Sequence, residues 1–186
     1  MKITELELSG LKLIELKVFH DERGFFTERF NRKAFAEAGL PSEFVQDNHS
    51  RSTPGVIRGM HYQVNPSQGK LVGAIRGKIY DVVVDVRSGS PTFGKHLGVE
   101  LSDTNGCLLW IPPGFAHGFL VLGNEPADVI YKVDQSYSPV GEGGIIWSDS
   151  ELAIRWPLEA GRSPIVNKKD QALPGFSEYR AHPKFS

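Results

Sequence analysis

Three of the six histidines, His49, His61 and His117, stand in segments dense with groups that bind or transfer charge. An imidazole exchanges a proton near neutral pH, and an arginine fork fits paired oxygens of a phosphate. The stretch from Gln46-Asp47-Asn48-His49-Ser50 to Arg58-Gly59-Met60-His61-Tyr62-Gln63 offers both kinds of group. Arg58 and His61 are three residues apart, so in a regular strand they point to opposite faces. They share a pocket only if Gly59 bends or bulges the strand; otherwise this is a strand with polar residues facing outward. Pro112-Pro113-Gly114-Phe115-Ala116-His117 reads as a tight turn that feeds His117 into the apolar run Gly118-Phe119-Leu120-Val121-Leu122. A polar ring buried there needs a partner, either a backbone group or a functional one. His20, His96 and His182 fall near strand ends, in polar loops or in the tail and read as solvated or structural.

The elements that must carry these residues are strands. Short runs rich in Val, Ile, Leu and Phe alternate with Gly, Pro, Asn, Asp and Ser clusters, which predicts an all-β sandwich or barrel rather than βαβ units. The clearest strands are expected at Leu11–Val18, Lys70–Ile75, Lys78–Val86, His96–Leu101, Cys107–Ile111, Ala116–Leu122 and Val129–Val133. One short peripheral helix is expected over Arg32–Ala38, with Asn31 as its cap, Phe35 facing inward and Gly39 ending it. The polar, Pro-containing last 15 or so residues are expected to trail across the surface or to pack on a partner subunit. At 186 residues the chain is expected to be one domain, 1–186.

Two resemblances sharpen this reading. Pro112 to His117 entering a strand, with the earlier Gly59-Met60-His61 segment ending at Arg76-Gly77, resembles the two motifs of the cupin superfamily, which implies a jelly roll, or double-stranded β-helix. Metal-binding cupins carry a His-x-His pair and a following carboxylate in the first motif, where this chain has His61-Tyr62-Gln63. The ligand set a transition metal requires is therefore missing, and no metal is expected.

A closer match runs from Asp21 to Asp170. Asp21-Glu22-Arg23-Gly24-Phe25-Phe26, Val45-Gln46-Asp47-Asn48-His49-Ser50, Arg58 to Gln63, Gln68-Gly69-Lys70-Leu71-Val72, Gly114 to Phe119, Tyr131-Lys132, Tyr137-Ser138-Pro139, Gly144-Ile145-Ile146-Trp147 and Lys169-Asp170 occur in the order seen in dTDP-4-dehydrorhamnose 3,5-epimerases, which the chain resembles. The resemblance implies inversion at carbons 3 and 5 of dTDP-4-dehydro-6-deoxy-D-glucose through enolates. It implies His61 as base, Asp170 as the carboxylate that orients it, Lys70 as the cation at the enolate oxygen and Tyr131 as acid on the opposite face. It further implies Arg23 and Arg58 on the diphosphate with Lys169 as a further contact. Glu28, Gln46, Asn48 and Glu142 fall at the nucleotide end, Tyr137 near the base and His117 in the sugar pocket. Ser136, Val140 and Asn167 depart from the common pattern at non-catalytic positions.

A net charge of −1 and a charged fraction of 23% give no reason to expect nucleic acid or an anionic membrane as partner. No window has the roughly 20 apolar residues of a membrane span, and Met1-Lys2-Ile3-Thr4-Glu5 lacks the order of a signal peptide, so a cytoplasmic protein is expected. The single Cys107 reads as a buried structural thiol. Neither a metal nor a redox cofactor is expected, since no glycine-rich dinucleotide fingerprint is present. A homodimer is expected, with Ile3–Leu8 as a strand able to pair with a neighbouring sheet edge. Competing readings are a single-site C3 or C5 epimerase, a cupin that binds without turnover, and a metal-dependent cupin.

Overall fold

The apolar runs assemble into thirteen strands in the computed structural model, which describes residues 1–186. In chain order they are β1 (Lys2–Glu5), β2 (Lys12–Glu15), β3 (Val18–Asp21), β4 (Gly24–Thr27), β5 (Gln46–Ser52), β6 (Ile57–Gln63) and β7 (Lys70–Arg76). Then follow β8 (Lys78–Asp85), β9 (His96–Ser102), β10 (Cys107–Ile111), β11 (Phe115–Val121), β12 (Ala127–Val133) and β13 (Glu142–Gly144). Three short helices complete the chain: α1 (Arg32–Glu37), α2 (Lys168–Gln171) and α3 (Phe176–Ala181).

One sheet has six strands in the order β1-β2-β10-β7-β12-β5, and the other has five, β13-β6-β11-β8-β9. All of these pairings are antiparallel. The sheets face each other as in a cupin-type jelly roll. Alternation along each strand decides what fills the gap: Val72 and Ala74 of β7, Leu109 and Ile111 of β10 and Val129 of β12 meet Ile79 and Val83 of β8 and Phe119 of β11 in one inter-sheet core. The opposite face of the six-stranded sheet carries Leu71, Leu108 and Trp110, over which α1 lays Phe35. That helix starts where expected, its Ala34 N–H donating to the Asn31 side chain at 3.1 Å, and Gly39 adopts φ +67° behind it.

Three expectations need correction. The strand foreseen over Leu11–Val18 stops at Glu15, because from Val18 the chain leaves the sheet to form the separate β3–β4 hairpin, Val18 pairing with Thr27. The first strand ends at Glu5 instead of reaching Leu8: the chain turns there, and the Leu6 N–H donates to the Leu11 carbonyl. Nor does the tail trail over the surface. Phe176 and Tyr179 of α3 are buried against Met60, Val84 and Ile145, and the Tyr179 hydroxyl donates to the Val86 carbonyl at 2.7 Å. Two aromatic rings at i and i+3 of a short helix give the tail an apolar face that its polar composition conceals. Cys107 is half-buried, and burial pushes its thiol pKa up.

Candidate active site

The space between the sheets opens at one end into a cavity of about 320 Å³. Strand β6 supplies its first wall. Along the β6–β11 pairing His117 stands opposite His61 and Phe119 opposite Arg58, so two steps on β11 span three on β6, a bulge. Gly59 sits in it at φ +119°, and a Cβ there would come within 2.5 Å of Gly118 Cα and 2.7 Å of the His117 carbonyl oxygen. Glycines at both positions let the strands approach closely, and the bulge turns Arg58 and His61 toward one cavity. The bend on which their sharing a pocket depended is present.

His61 bonds through Nε2 to Asp170 Oδ1 at 2.8 Å, across 109 residues of sequence. Asp170 is fully buried; its Oδ2 accepts the Gly59 N–H at 3.1 Å. Burial pushes this carboxyl up, but the bonds from His61 and Gly59 outweigh it and hold its pKa below the ordinary value. An ionised Asp170 accepts a hydrogen bond from Nε2–H, which keeps the proton on Nε2 and leaves Nδ1 as the basic nitrogen of His61. Helix α2 places the carboxylate: Asn167 caps it, its side chain accepting the Asp170 N–H at 2.7 Å.

The six-stranded sheet supplies the facing wall. Lys70 opens β7 and donates to the His61 carbonyl at 3.4 Å. Burial brings its ammonium down to a pKa of about 8, although Asp81 and Glu142 pull it upward. Tyr131 of β12 stands in the same cavity; burial pushes its phenol up, the Arg58 charge pulls it down and Glu142 adds to the rise. His117 is buried, with Nε2 on Asp81 Oδ2 at 2.9 Å. Arg58 is steadied by Ser52 Oγ, which accepts from Nε at 2.9 Å.

At the rim, Glu142 Oε2 accepts from Lys169 Nζ at 2.6 Å and from the Tyr137 hydroxyl at 2.8 Å. Burial raises Glu142, and these two bonds more than reverse it. Gln46 donates to Asn48 Oδ1 at 2.8 Å and accepts the Tyr137 N–H at 3.1 Å. The fold thus gathers His61, Lys70, Tyr131, Asp170, Arg58, His117, Tyr137 and Glu142 into one cavity, with Gln46, Asn48 and Lys169 joined to its edge.

Two foreseen residues are elsewhere. Arg23, 82% exposed at the turn of the β3–β4 hairpin, pairs with Asp21, and Glu28 accepts from Asn31 beside α1. A single chain does not bring them to the cavity. His49 also faces away, on Asp128 at 3.1 Å, because outward and inward residues alternate along β5. Sequence reasoning missed Asp81, although a carboxylate between Tyr80 and Val82-Val83-Val84 signals a buried charge that needs a partner. It also missed Ser50, whose buried hydroxyl lines the cavity without a partner in the protein, and the capping role of Asn167, legible in its place three residues before Asp170.

A profile of the dTDP-4-dehydrorhamnose 3,5-epimerases matches residues 5–178. The chain belongs to this family. It is 52% identical over 172 residues to the dTDP-4-dehydrorhamnose 3,5-epimerase of Shigella flexneri, covering 91% of this chain and 93% of that one. The crystal structure of the 3,5-epimerase from Legionella pneumophila in complex with dTDP-4-keto-L-rhamnose superposes with a TM-score of 0.92 at 45% identity, covering 100% of this chain and 98% of that chain. A 3'-monoepimerase from Streptomyces bikiniensis in complex with dTDP-quinovose shares the fold at TM-score 0.88 and 31% identity, over 95% of this chain and 88% of that one. Family members are isomerases of nucleotide-linked sugars, and a cavity with a carboxylate-held histidine, a half-buried ammonium and a half-buried phenol suits that chemistry. No helix is long and apolar enough to cross a membrane.

Proposed function

We propose that the chain, folded as one domain, converts dTDP-4-dehydro-6-deoxy-D-glucose to dTDP-4-dehydro-L-rhamnose by inverting carbons 3 and 5. The observation that carries this reading is the placement of a His–Asp pair on one wall of the cavity and a tyrosine on the other, with a half-buried lysine beside the histidine. Both carbons are α to the C4 ketone. His61 takes the proton from the α-carbon through Nδ1, and Asp170 steadies the imidazolium that results. The electron pair moves onto the ketone oxygen, where the Lys70 ammonium meets the developing charge in a water-poor setting. The pair returns from the oxygen to the carbon as Tyr131 protonates that carbon from the other side; His61 then releases its proton to solvent and Tyr131 regains one from solvent, which restores both groups. Two such cycles, one at each carbon, give the double inversion.

Arg58, with Lys169 and Glu142 at the rim, serves the nucleotide diphosphate end, and Tyr137 offers a ring to the base. Arg23 and Glu28 fit this scheme only in an assembly. Their hairpin exposes Phe19, Phe25 and Phe26, an apolar surface that association would cover. A homodimer, in which this hairpin reaches the neighbouring copy's cavity and the open edge of β1 pairs across the interface, accounts for both features. The protein is assigned to the cytoplasm, where nucleotide sugars are made.

Turnover in deuterated water, followed by NMR, tests the scheme. The wild type incorporates deuterium at both carbons as it inverts them, whereas label at one carbon alone makes the protein a monoepimerase like its Streptomyces bikiniensis relative. In Tyr131→Phe the base remains, so exchange outruns inversion. Loss of exchange in Tyr131→Phe together with its retention in His61→Ala reverses the two roles.

A further inference from the structure

The segment 134–141 between β12 and β13 forms neither helix nor strand, yet it carries Tyr137, the ring offered to the base at the cavity rim. Backbone groups outside a ladder must find partners elsewhere. Glutamine side chains supply them for four successive residues. Gln68 Nε2 donates to the Gln135 carbonyl at 2.7 Å, and Gln63 Nε2 donates to the Ser136 carbonyl at 3.1 Å. The Tyr137 N–H donates to Gln46 Oε1 at 3.1 Å, and the Ser138 N–H donates to Gln63 Oε1 at 2.9 Å.

Gln63 is the centre of this arrangement. It is buried, and its Nε2 donates a further bond to the Pro66 carbonyl at 2.9 Å. Two donated bonds and one accepted bond are what a side-chain amide supplies and a carboxylate does not. Gln63 follows His61 by two residues on β6, so both side chains leave the same face of the strand. Across the β6–β13 pairing it stands opposite Glu142, which accepts the Tyr137 hydroxyl at 2.8 Å. One strand thus holds the histidine directly and, through Gln63, the backbone on both sides of Tyr137, whose side chain stays 52% exposed.

Granted the role of Tyr137 proposed above, on which this rests, we infer that Gln63, aided by Gln68, is a positioning residue for nucleotide recognition. It sets the Tyr137 ring at a fixed distance from His61 before the ligand arrives. A platform ordered beforehand spares binding the cost of ordering the loop. The benefit is the same in ground state and transition state, so it acts on KM and leaves kcat alone.

Calorimetry on the full-length protein tests this, with dTDP as one probe and pyrophosphate, which lacks the base, as the other. Gln63→Met is expected to weaken dTDP binding about tenfold and Gln68→Ala about threefold, with pyrophosphate affinity and circular dichroism as in the wild type. In turnover KM is expected to rise in both variants while kcat stays within about twofold. In a Tyr137→Ala background, itself weakened for dTDP, neither glutamine change is expected to cost more. A loss in Tyr137→Ala that neither glutamine variant shares overturns the positioning role and leaves the platform standing. Undiminished dTDP affinity in Tyr137→Ala removes the platform and the positioning role with it. An equal loss of pyrophosphate affinity, or a fall in kcat at unchanged KM, also overturns the proposal, since it places the damage at the diphosphate end or at His61. If Gln63→Met does not fold, Gln68→Ala, changed at a half-buried side chain, decides by the same outcomes.

Discussion

His61 and His117 face each other across β6 and β11, and each sets Nε2 on a buried aspartate, Asp170 at 2.8 Å and Asp81 at 2.9 Å. Their surroundings differ. The His61 side chain is 28% exposed, and both oxygens of its carboxylate are bonded, one to the ring and one to the Gly59 amide. The His117 side chain is 9% exposed, and Asp81 Oδ1 is buried without a partner. Two chemically identical pairs therefore suit different tasks. The open one, whose carboxylate is fully satisfied, can take up a proton and be steadied in its charged form. The closed one is a buried polar contact between β8 and β11, suited to shaping the sugar pocket, and the Asp81 charge also acts on the Lys70 ammonium.

The sharpest way to break this comparison is to remove one histidine at a time. His61→Ala is expected to lose inversion and solvent exchange together, by at least the ~10²–10⁴-fold that a general base contributes. His117→Ala is expected to keep a measurable exchange rate in the folded fraction. Equal abolition of exchange in both variants, read by NMR, erases the distinction between the pairs. Stability should divide the other way. His117→Leu leaves the Asp81 carboxylate buried with no donor and is expected to cost about 3–5 kcal/mol in urea unfolding, most of it recovered in the His117→Leu/Asp81→Leu double variant. Full additivity of the two single changes refutes the coupling.

A smaller effect concerns the ligand end. Arg58→Ala and Arg23→Ala are each expected to weaken dTDP binding by ~1.5–3 kcal/mol in calorimetry. The Arg23 effect is expected to vanish in a dilute monomer, since only an assembly brings that hairpin to a cavity. The mildest test is pH. The Lys70 ammonium, lowered to about 8 by burial, is charged below that value and loses its proton above it. Values of kcat/KM are therefore expected to fall as pH rises through about 8, and a profile flat to pH 10 removes Lys70 from the enolate oxygen.

How much of this was legible beforehand can be judged residue by residue. The alternation of apolar runs and turn residues specified an all-β fold, and Asn31 and Gly39 marked the ends of α1, because caps and periodicity are local properties of the chain. Gly59 marked the one place where Arg58 and His61 could turn to the same side. The hairpin was harder to read, since its exposed phenylalanines resemble core residues in composition. The tail misled in the opposite sense, its two buried rings hidden among polar neighbours.

The sequence by itself determined the kinds of group available, the strands that carry them and the family to which the chain belongs. Only the tertiary structure decided which carboxylate each histidine meets. Asp170 reaches His61 across 109 residues and Asp81 reaches His117 across 36, and no local propensity encodes either encounter. The physical reason is that strand pairing and sheet packing fix these distances, and burial then sets the charge each group can hold. Lys70 is an ordinary lysine in the sequence, and its ammonium is loosened to a pKa of about 8 only once the two sheets close over it.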